Sequence, residues 1–371
     1  MKWYMNRAKR AAIFKPVYHS IAMCKTEPLL VAIKILKDRQ TLTAEEISAA
    51  FRVIMSGNAT DGLIGAFLGI LATRIPTGEE LFGASSVMKE CVSKVDFLQP
   101  ENILDTCGTG GAPKTFNVST AAGIVAAACG ARVAKHGNKS RTGRGSAEVL
   151  ARLGINIDAT IDQQKSCLEE VGICFCFAPK HHKSVAHVMP VRKELGFPTI
   201  FNLLGPLTNP CSAGRQLLGV WDDSFVMPMA KSLAKSGTTK SAVVHSSDGL
   251  DELSISAPTR IVYIQGGKMT EEVLRPSDVG LQEWDRSEVV ADDLNTATTF
   301  IKDAVTSGSS GAVRDAILLS TSVSLFLSDI ATTVAEGVKI ASNAIDSGAV
   351  QDTLKHWAEV SHMHTPSTGG K

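Results

Sequence analysis

The chain has 371 residues, of which 44% are hydrophobic and 20% are charged, and its net charge is +1. This composition is typical of a globular protein, and the length allows two domains or one large α/β domain. The charge balance makes a nucleic-acid partner an unfavoured interpretation. No membrane partner is expected, because the longest apolar stretch, residues 317–327, is too short to span a bilayer.

The two ends of the chain are predicted to lie outside the folded part. Residues 1–26 form a basic extension, with six Lys or Arg and no acidic residue among the first 25. We interpret it as a poorly ordered tail of a cytoplasmic protein, but an organelle transit peptide has a similar composition, so import stays open. The polar residues 363–371 predict a disordered tail.

Residues 27–97 are predicted to form a small all-helical domain. Thr43 with Glu46 and Thr77 with Glu80 match capping boxes, each followed by apolar residues. Three or four helices and no strand are expected here, and a proline at position 100 marks the boundary.

Residues 98–362 are predicted to form a large α/β domain. Short β-rich runs alternate with helical ones, and they predict strands at 103–107, 131–134, 173–178, 216–221, 241–246 and 260–264. Such alternation indicates a largely parallel sheet, in which ligands bind at the carboxyl ends of strands.

Glycines are concentrated in the loop after the first predicted strand. Gly108, Gly110 and Gly111 precede a polar set that opens an Ala-rich helix: Thr115, Asn117, Ser119 and Thr120. Close backbone approach and helix N-terminal amides favour phosphate binding. A plain strand-to-helix turn is an equal alternative, because the loop matches neither common nucleotide motif.

Two further segments carry charges at predicted strand ends. Residues 135–148 combine four cations with three glycines, which suits a polyanion such as a diphosphate better than a solvated basic loop. Asp251 and Glu252 follow the strand at 241–246 and could hold Mg²⁺, although two exposed loop acids are the commoner interpretation.

Other candidate groups are less specific. Arg192 could grip a substrate carboxylate bidentately, or form a solvated surface ion pair. His181 and His182 are adjacent but lack a Cys or Glu at ligand spacing, which disfavours a metal site. The eight cysteines are scattered without a C-x-x-C pair. This indicates reduced thiols and neither a disulfide framework nor a zinc site.

Together these segments resemble the anthranilate phosphoribosyltransferase family over residues 27–362. The matching pieces are 108–111 with 115–120, 135–138 with 145–148, 190–192, 199–210 and 248–252. The resemblance implies an α/β fold of the nucleoside phosphorylase/phosphoribosyltransferase type. This fold has a small all-helical N-terminal domain, completed by residues 190–205, and a large α/β domain with a mainly parallel central sheet. A homodimer is also implied. The implied reaction is pentosyl transfer from 5-phosphoribosyl-1-diphosphate to the amine of anthranilate, in tryptophan biosynthesis.

The resemblance also implies roles for individual residues. The substrate 5-phosphoribosyl-1-diphosphate would be bound by Gly108, Gly111, Ala112, Thr115, Asn117, Val118, Ser119, Thr120, Lys135, Gly137 and Ser146. The Mg²⁺ ion would be coordinated by Ser119, Asp251 and Glu252. Anthranilate would be positioned by Asn138 and Arg192, and its access path would be lined by His136 and His182. No covalent or acid–base catalytic residue is assigned.

Three features depart from the family pattern, all on substrate loops. Ala112 stands where an acid is usual, in a loop that is one residue shorter. The second loop is also one residue shorter and lacks a serine pair, which Arg141 and Arg144 could replace with charge. Lys183 stands where a proline usually follows the paired histidines. Substrate choice or rate could therefore differ.

Two alternative functions are compatible with parts of this pattern. A pyrimidine nucleoside phosphorylase shares the fold, but its usual Lys-His-Ser is absent from the first loop. A non-catalytic nucleic-acid-binding relative would use the basic segments 1–25 and 135–144. The acid pair and Arg192 favour the transferase over both.

Overall fold

The computed structural model describes residues 25–113, 115–140 and 143–363. The predicted basic extension up to residue 24 and the predicted tail from residue 364 lie outside these ranges, as does Arg141. The helices are α1 (Glu27–Lys37), α2 (Ala44–Met55), α3 (Asp61–Ala72), α4 (Gly78–Glu90), α5 (Val118–Ala128), α6 (Ser146–Arg152), α7 (Ile161–Ser166), α8 (Ala178–His181), α9 (Met189–Leu195), α10 (Ile200–Leu204), α11 (Val226–Lys235), α12 (Leu294–Ala304), α13 (Ala312–Leu327), α14 (Val334–Asp346) and α15 (Ala349–His362). The strands are β1 (Ile103–Gly108), β2 (Arg132–Gly137), β3 (Ile173–Phe177), β4 (Arg215–Gly219), β5 (Lys240–Ser246), β6 (Thr259–Gln265) and β7 (Lys268–Leu274).

The first four helices form a bundle, and the two predicted capping boxes are confirmed at α2 and α4. The Glu80 carboxylate in the second box is fully buried. It accepts hydrogen bonds from the N–H groups of Thr77 and Leu42, both at 2.8 Å, and a bidentate pair from Arg74 at 2.8 and 2.5 Å. Burial raises the pKa of Glu80, but these donors outweigh it and hold the pKa below its usual range.

Two short helices from later in the chain, α9 and α10, pack into the same bundle. The Phe201 ring of α10 lies 5.4 Å from the Phe51 ring of α2. Val191 of α9 is buried in one cluster with Leu68 of α3. This cluster continues onto one face of the sheet through residues such as Val243. A packed apolar layer therefore joins the bundle to the α/β part.

The seven strands form one sheet in the order β3-β2-β1-β4-β5-β6-β7. The first five in chain order pair in parallel, and β6 and β7 pair antiparallel to their neighbours, so the sheet is mainly parallel. Chain order reverses between β1 and β4, and such a switch point leaves a crevice at the carboxyl ends of the strands.

The other sheet face is covered by helices that include α5, α13 and α15, around the fully buried Trp357. Strand β7 was not predicted, because its residues are almost all exposed and show no apolar alternation. The sequence feature that indicates β7 is the pair Gly266 and Gly267. Their φ angles are 54° and 76°, and the two residues form the hairpin turn between β6 and β7. Within the described ranges, every helix is too short or too polar to cross a membrane.

Candidate active site

The carboxyl ends of β1, β4 and β5 meet at the switch point. Gly108 ends β1 and pairs with Gly219, which ends β4. Asp251, from the loop after β5, lies against both. A Cβ atom on Gly219 would lie 1.6 Å from the Asp251 carbonyl oxygen, and one on Gly108 would lie 2.7 Å from its Oδ2. Only glycines allow this approach, which brings the acid pair onto the glycine loop.

Asp251 and Glu252 are partly buried and accept hydrogen bonds from the glycine loop. Asp251 Oδ2 accepts from the Gly110 N–H at 3.0 Å, and Glu252 Oε2 accepts from the Thr115 hydroxyl at 2.9 Å. Burial raises the pKa of both carboxyls, and the Asp251 carboxylate raises that of Glu252 further. A divalent cation with oxygen ligands would relieve this repulsion, so the donor set fits Mg²⁺.

Lys135 places a buried cation beside the first turn of α5. The side chain is only 2% exposed, and its Nζ donates to the Thr106 carbonyl at 2.5 Å and to Ser119 Oγ at 3.2 Å. Burial lowers the pKa of Lys135, while the Asp105 carboxylate opposes that effect. The ammonium and the amides of the helix N-terminus together suit an anion.

The cation-rich loop that follows β2 packs against the start of α5. A Cβ atom on Gly137 would lie 2.5 Å from Ser146 Oγ, and the Asn117 side-chain amide donates to the Arg144 carbonyl at 3.1 Å. Asn138 follows β2 directly, and its Oδ1 accepts the Lys139 N–H at 2.8 Å. The structure therefore brings most of the predicted diphosphate residues to one place.

The remaining residues at the start of α5 and in its loop contribute differently. Val118 buries its side chain in the core, so only its backbone can serve a ligand. Thr120 is buried, and its hydroxyl has no hydrogen-bond partner among the described residues. Ala112 is half-exposed beside Gly111, whose φ of 100° favours glycine.

The groups predicted for anthranilate come from both the sheet and the bundle, with His136 in β2 and Arg192 in α9. His136 Nε2 lies 3.2 Å from His182 Nε2, and His136 Nδ1 lies 3.1 Å from the Gly205 carbonyl oxygen. Burial lowers the pKa of His136 to about 3 and that of His182 to about 4, so both rings are neutral at pH 7. Arg192 belongs to the bundle, with its guanidinium 5.3 Å above the Phe201 ring.

Two residues at this site were missed from the sequence. Gly219 was read only as part of a strand, and its close approach to Asp251 depends on the order of the strands. The backbone N–H of Trp221 donates to Thr109 Oγ1 at 3.2 Å, and a Cβ atom on Gly111 would lie 3.4 Å from Trp221 Cγ. An aromatic residue at the carboxyl end of the predicted strand 216–221 was the available signal.

Comparisons with known proteins agree with this architecture. Residues 31–92 match the helical bundle domain and residues 100–351 the a/b domain of the Glycosyl transferase family. The anthranilate phosphoribosyltransferase of Thioalkalivibrio sulfidiphilus is 41% identical over 87% of this chain and 96% of its own. The enzyme of that name from Hydrogenovibrio crunogenus is 39% identical over 88% of this chain and 97% of its own.

Solved structures give the same result. The anthranilate phosphoribosyltransferase of Thermus thermophilus has a TM-score of 0.84 and 32% identity, covering 90% of this chain and 99% of that one. The Saccharomyces cerevisiae enzyme in complex with PRPP and Mg has a TM-score of 0.80 and 28% identity, covering 90% and 97%. Neither the nucleoside phosphorylase nor the nucleic-acid-binding alternative is favoured by these likenesses. From the fold, the clustered loops and the extent of the identity, the chain belongs to the anthranilate phosphoribosyltransferase family.

Proposed function

We propose that the protein transfers the phosphoribosyl group of 5-phosphoribosyl-1-diphosphate to the amine of anthranilate and releases diphosphate. The observation that carries this proposal is the meeting of the acid pair, the glycine loop and Lys135 at the switch point of the sheet. It provides one place where a cation-binding pair faces anion-binding groups.

The diphosphate end of the substrate would lie over the glycine loop and the start of α5. Lys135 and the loop amides supply positive charge that is already positioned, so it stabilises the negative charge that develops on the leaving diphosphate. Asp251, Glu252 and Ser119 would hold Mg²⁺. When bound, the ion neutralises charge on the diphosphate oxygens. The Saccharomyces cerevisiae relative, described in complex with PRPP and Mg, supports Mg²⁺ as a ligand together with this substrate.

At the anthranilate end the protein has to orient the amine for attack, because no covalent nucleophile is needed. Arg192 has the planar donor fork that suits a carboxylate, and its guanidinium carbon lies 5.3 Å from the centre of the Phe201 ring, within the range of a cation–π contact. Asn138 would orient the substrate, and the neutral His136 and His182 would line its path. A Saccharomyces cerevisiae relative described in complex with 4-fluoroanthranilate supports an aromatic acid as the ligand.

The test is the loss of anthranilate fluorescence after mixing the protein with anthranilate, 5-phosphoribosyl-1-diphosphate and Mg²⁺. We expect a loss that requires all three additions. Unchanged fluorescence at high protein concentration would refute the proposal. Phosphate-dependent cleavage of thymidine or uridine, measured on the same sample, would assign the phosphorylase reaction instead.

The homodimer implied by the family is also proposed for this protein. Light scattering with size-exclusion chromatography measures the mass directly. A mass near twice 39.3 kDa is expected, and a monomeric mass would contradict the proposal.

A further inference from the structure

Three cysteine thiols meet inside the α/β part. Cys174 and Cys176 belong to β3, and Cys211 lies in the loop before β4. Their Sγ atoms all lie within 4.8 Å of one another, and those of Cys176 and Cys211 are 3.7 Å apart. Each of the three residues is at most 2% exposed. Three thiols at this spacing match the ligand set of a soft metal ion.

A histidine with an unpaired ring nitrogen ends α8, the short helix that follows β3. His181 Nδ1 is 2.6 Å from the Ser93 carbonyl oxygen, which can only accept a hydrogen bond. Nδ1 therefore carries the hydrogen, and Nε2 presents its lone pair. Nε2 is buried and has no hydrogen-bond partner among the described residues. Neither ring nitrogen of His181 lies within 4.8 Å of all three thiols, so the imidazole must move to join a metal ion held by them.

We propose that Cys174, Cys176 and Cys211 bind Zn²⁺ through their thiolates, and that the His181 ring moves to supply Nε2 as the fourth ligand when the ion binds. Zn–S bonds of about 2.3 Å in a tetrahedron put sulfur atoms about 3.8 Å apart, close to the separation of Cys176 and Cys211. Thiols that are still protonated release their protons to solvent as the Zn–S bonds form.

Hydrogen bonds hold the backbone around Cys211 in place. Asn209 Oδ1 accepts the Cys211 N–H at 2.8 Å, and its amide donates to the Ala134 carbonyl at 2.8 Å, which ties this loop to β2. Four protein ligands leave no open position, so the site would be structural, linking β3, α8 and the loop before β4.

The experiment measures zinc in the untagged full-length protein, expressed in zinc-supplemented medium and purified without chelator. We expect one Zn²⁺ per chain, retained in Cys167→Ala, which removes an equally buried thiol outside the cluster, and lost in Cys211→Ala. Mercurial titration of the wild-type protein should release the zinc as thiols react, so the result does not depend on the folding of a variant. Cobalt exchange should give a thiolate charge-transfer band that Cys211→Ala lacks.

Several results would overturn the proposal. A zinc-free wild-type protein that takes up neither Zn²⁺ nor Co²⁺ would make the three thiols ordinary core residues. A Cys176–Cys211 disulfide, found by mass spectrometry of the native protein, would assign the pair to redox chemistry. Zinc that stays bound in Cys211→Ala would place the ion elsewhere.

Discussion

Replacing Gly219 by alanine should disable catalysis by moving Asp251. The added Cβ would lie 1.6 Å from the Asp251 carbonyl oxygen, whereas ordinary van der Waals contact begins at 3.4 Å. The two atoms must therefore move apart by roughly 1.8 Å. The obstacle is backbone and cannot rotate away. A displacement of about 1 Å at a reacting centre costs on the order of 100-fold. We therefore expect kcat/KM to fall at least about 100-fold in the anthranilate fluorescence assay.

The matched control is Gly69→Ala in α3. A Cβ atom there meets nothing within 4 Å, and alanine is favoured over glycine in a helix by about 1 kcal/mol. This variant should keep full activity and unfold at a slightly higher temperature. Thermal unfolding of Gly219→Ala separates a displaced acid pair from an unfolded chain. A folded Gly219→Ala protein with wild-type kcat/KM and Mg²⁺ dependence would refute the reasoning.

Three further changes test other parts of the structure. The double variant Asp251→Ala with Glu252→Ala should lose Mg²⁺-dependent turnover, and unchanged activity would contradict the metal assignment. Arg192→Lys should raise KM for anthranilate about 10-fold or more while leaving KM for 5-phosphoribosyl-1-diphosphate unchanged, because a lysine cannot pair bidentately. Glu80→Gln should lower the free energy of unfolding in urea by about 1–3 kcal/mol, since it removes the charge from a fully buried acceptor of hydrogen bonds from the partly exposed Arg74 and two backbone N–H groups. Because the folded-state pKa of Glu80 is depressed, its contribution is present above about pH 4.3 and is lost as pH falls further. A wild-type and a Glu80→Gln protein with equal acid sensitivity would contradict this.

Local patterns predicted local structure well. The capping boxes at Thr43 and Thr77 mark true helix starts because their hydrogen bonds span only three residues. Buried strands such as β1 and β3 were found from their apolar runs. Strand β7 was missed because it lies at the sheet edge and is exposed, so burial left no pattern in its sequence.

The individual loops of the site could be predicted from the sequence, but the contacts between them could not. Each loop carries its own signal, yet the approach of Asp251 to Gly219 depends on β4 lying between β1 and β5. The same limit applies to the thiols. Cys211 is 35 residues from Cys176, and no ligand spacing in the sequence links them. The sequence therefore indicated no zinc site, whereas the fold brings the thiols together.

Two glutamates show how the structure separates a supporting carboxylate from a proposed metal ligand. Glu80 is fully buried, yet its pKa is lowered, because Arg74 and two backbone N–H groups satisfy its charge. Glu252 has a raised pKa, because burial disfavours its charge and the neighbouring Asp251 carboxylate repels it, with no cation to offset either effect in the free protein. A carboxylate whose charge is already neutralised has little to gain from a cation. A repelling pair at a strand end gains most when one arrives, so the electrostatic cost carried by Asp251 and Glu252 in the free protein is what would make them a metal site.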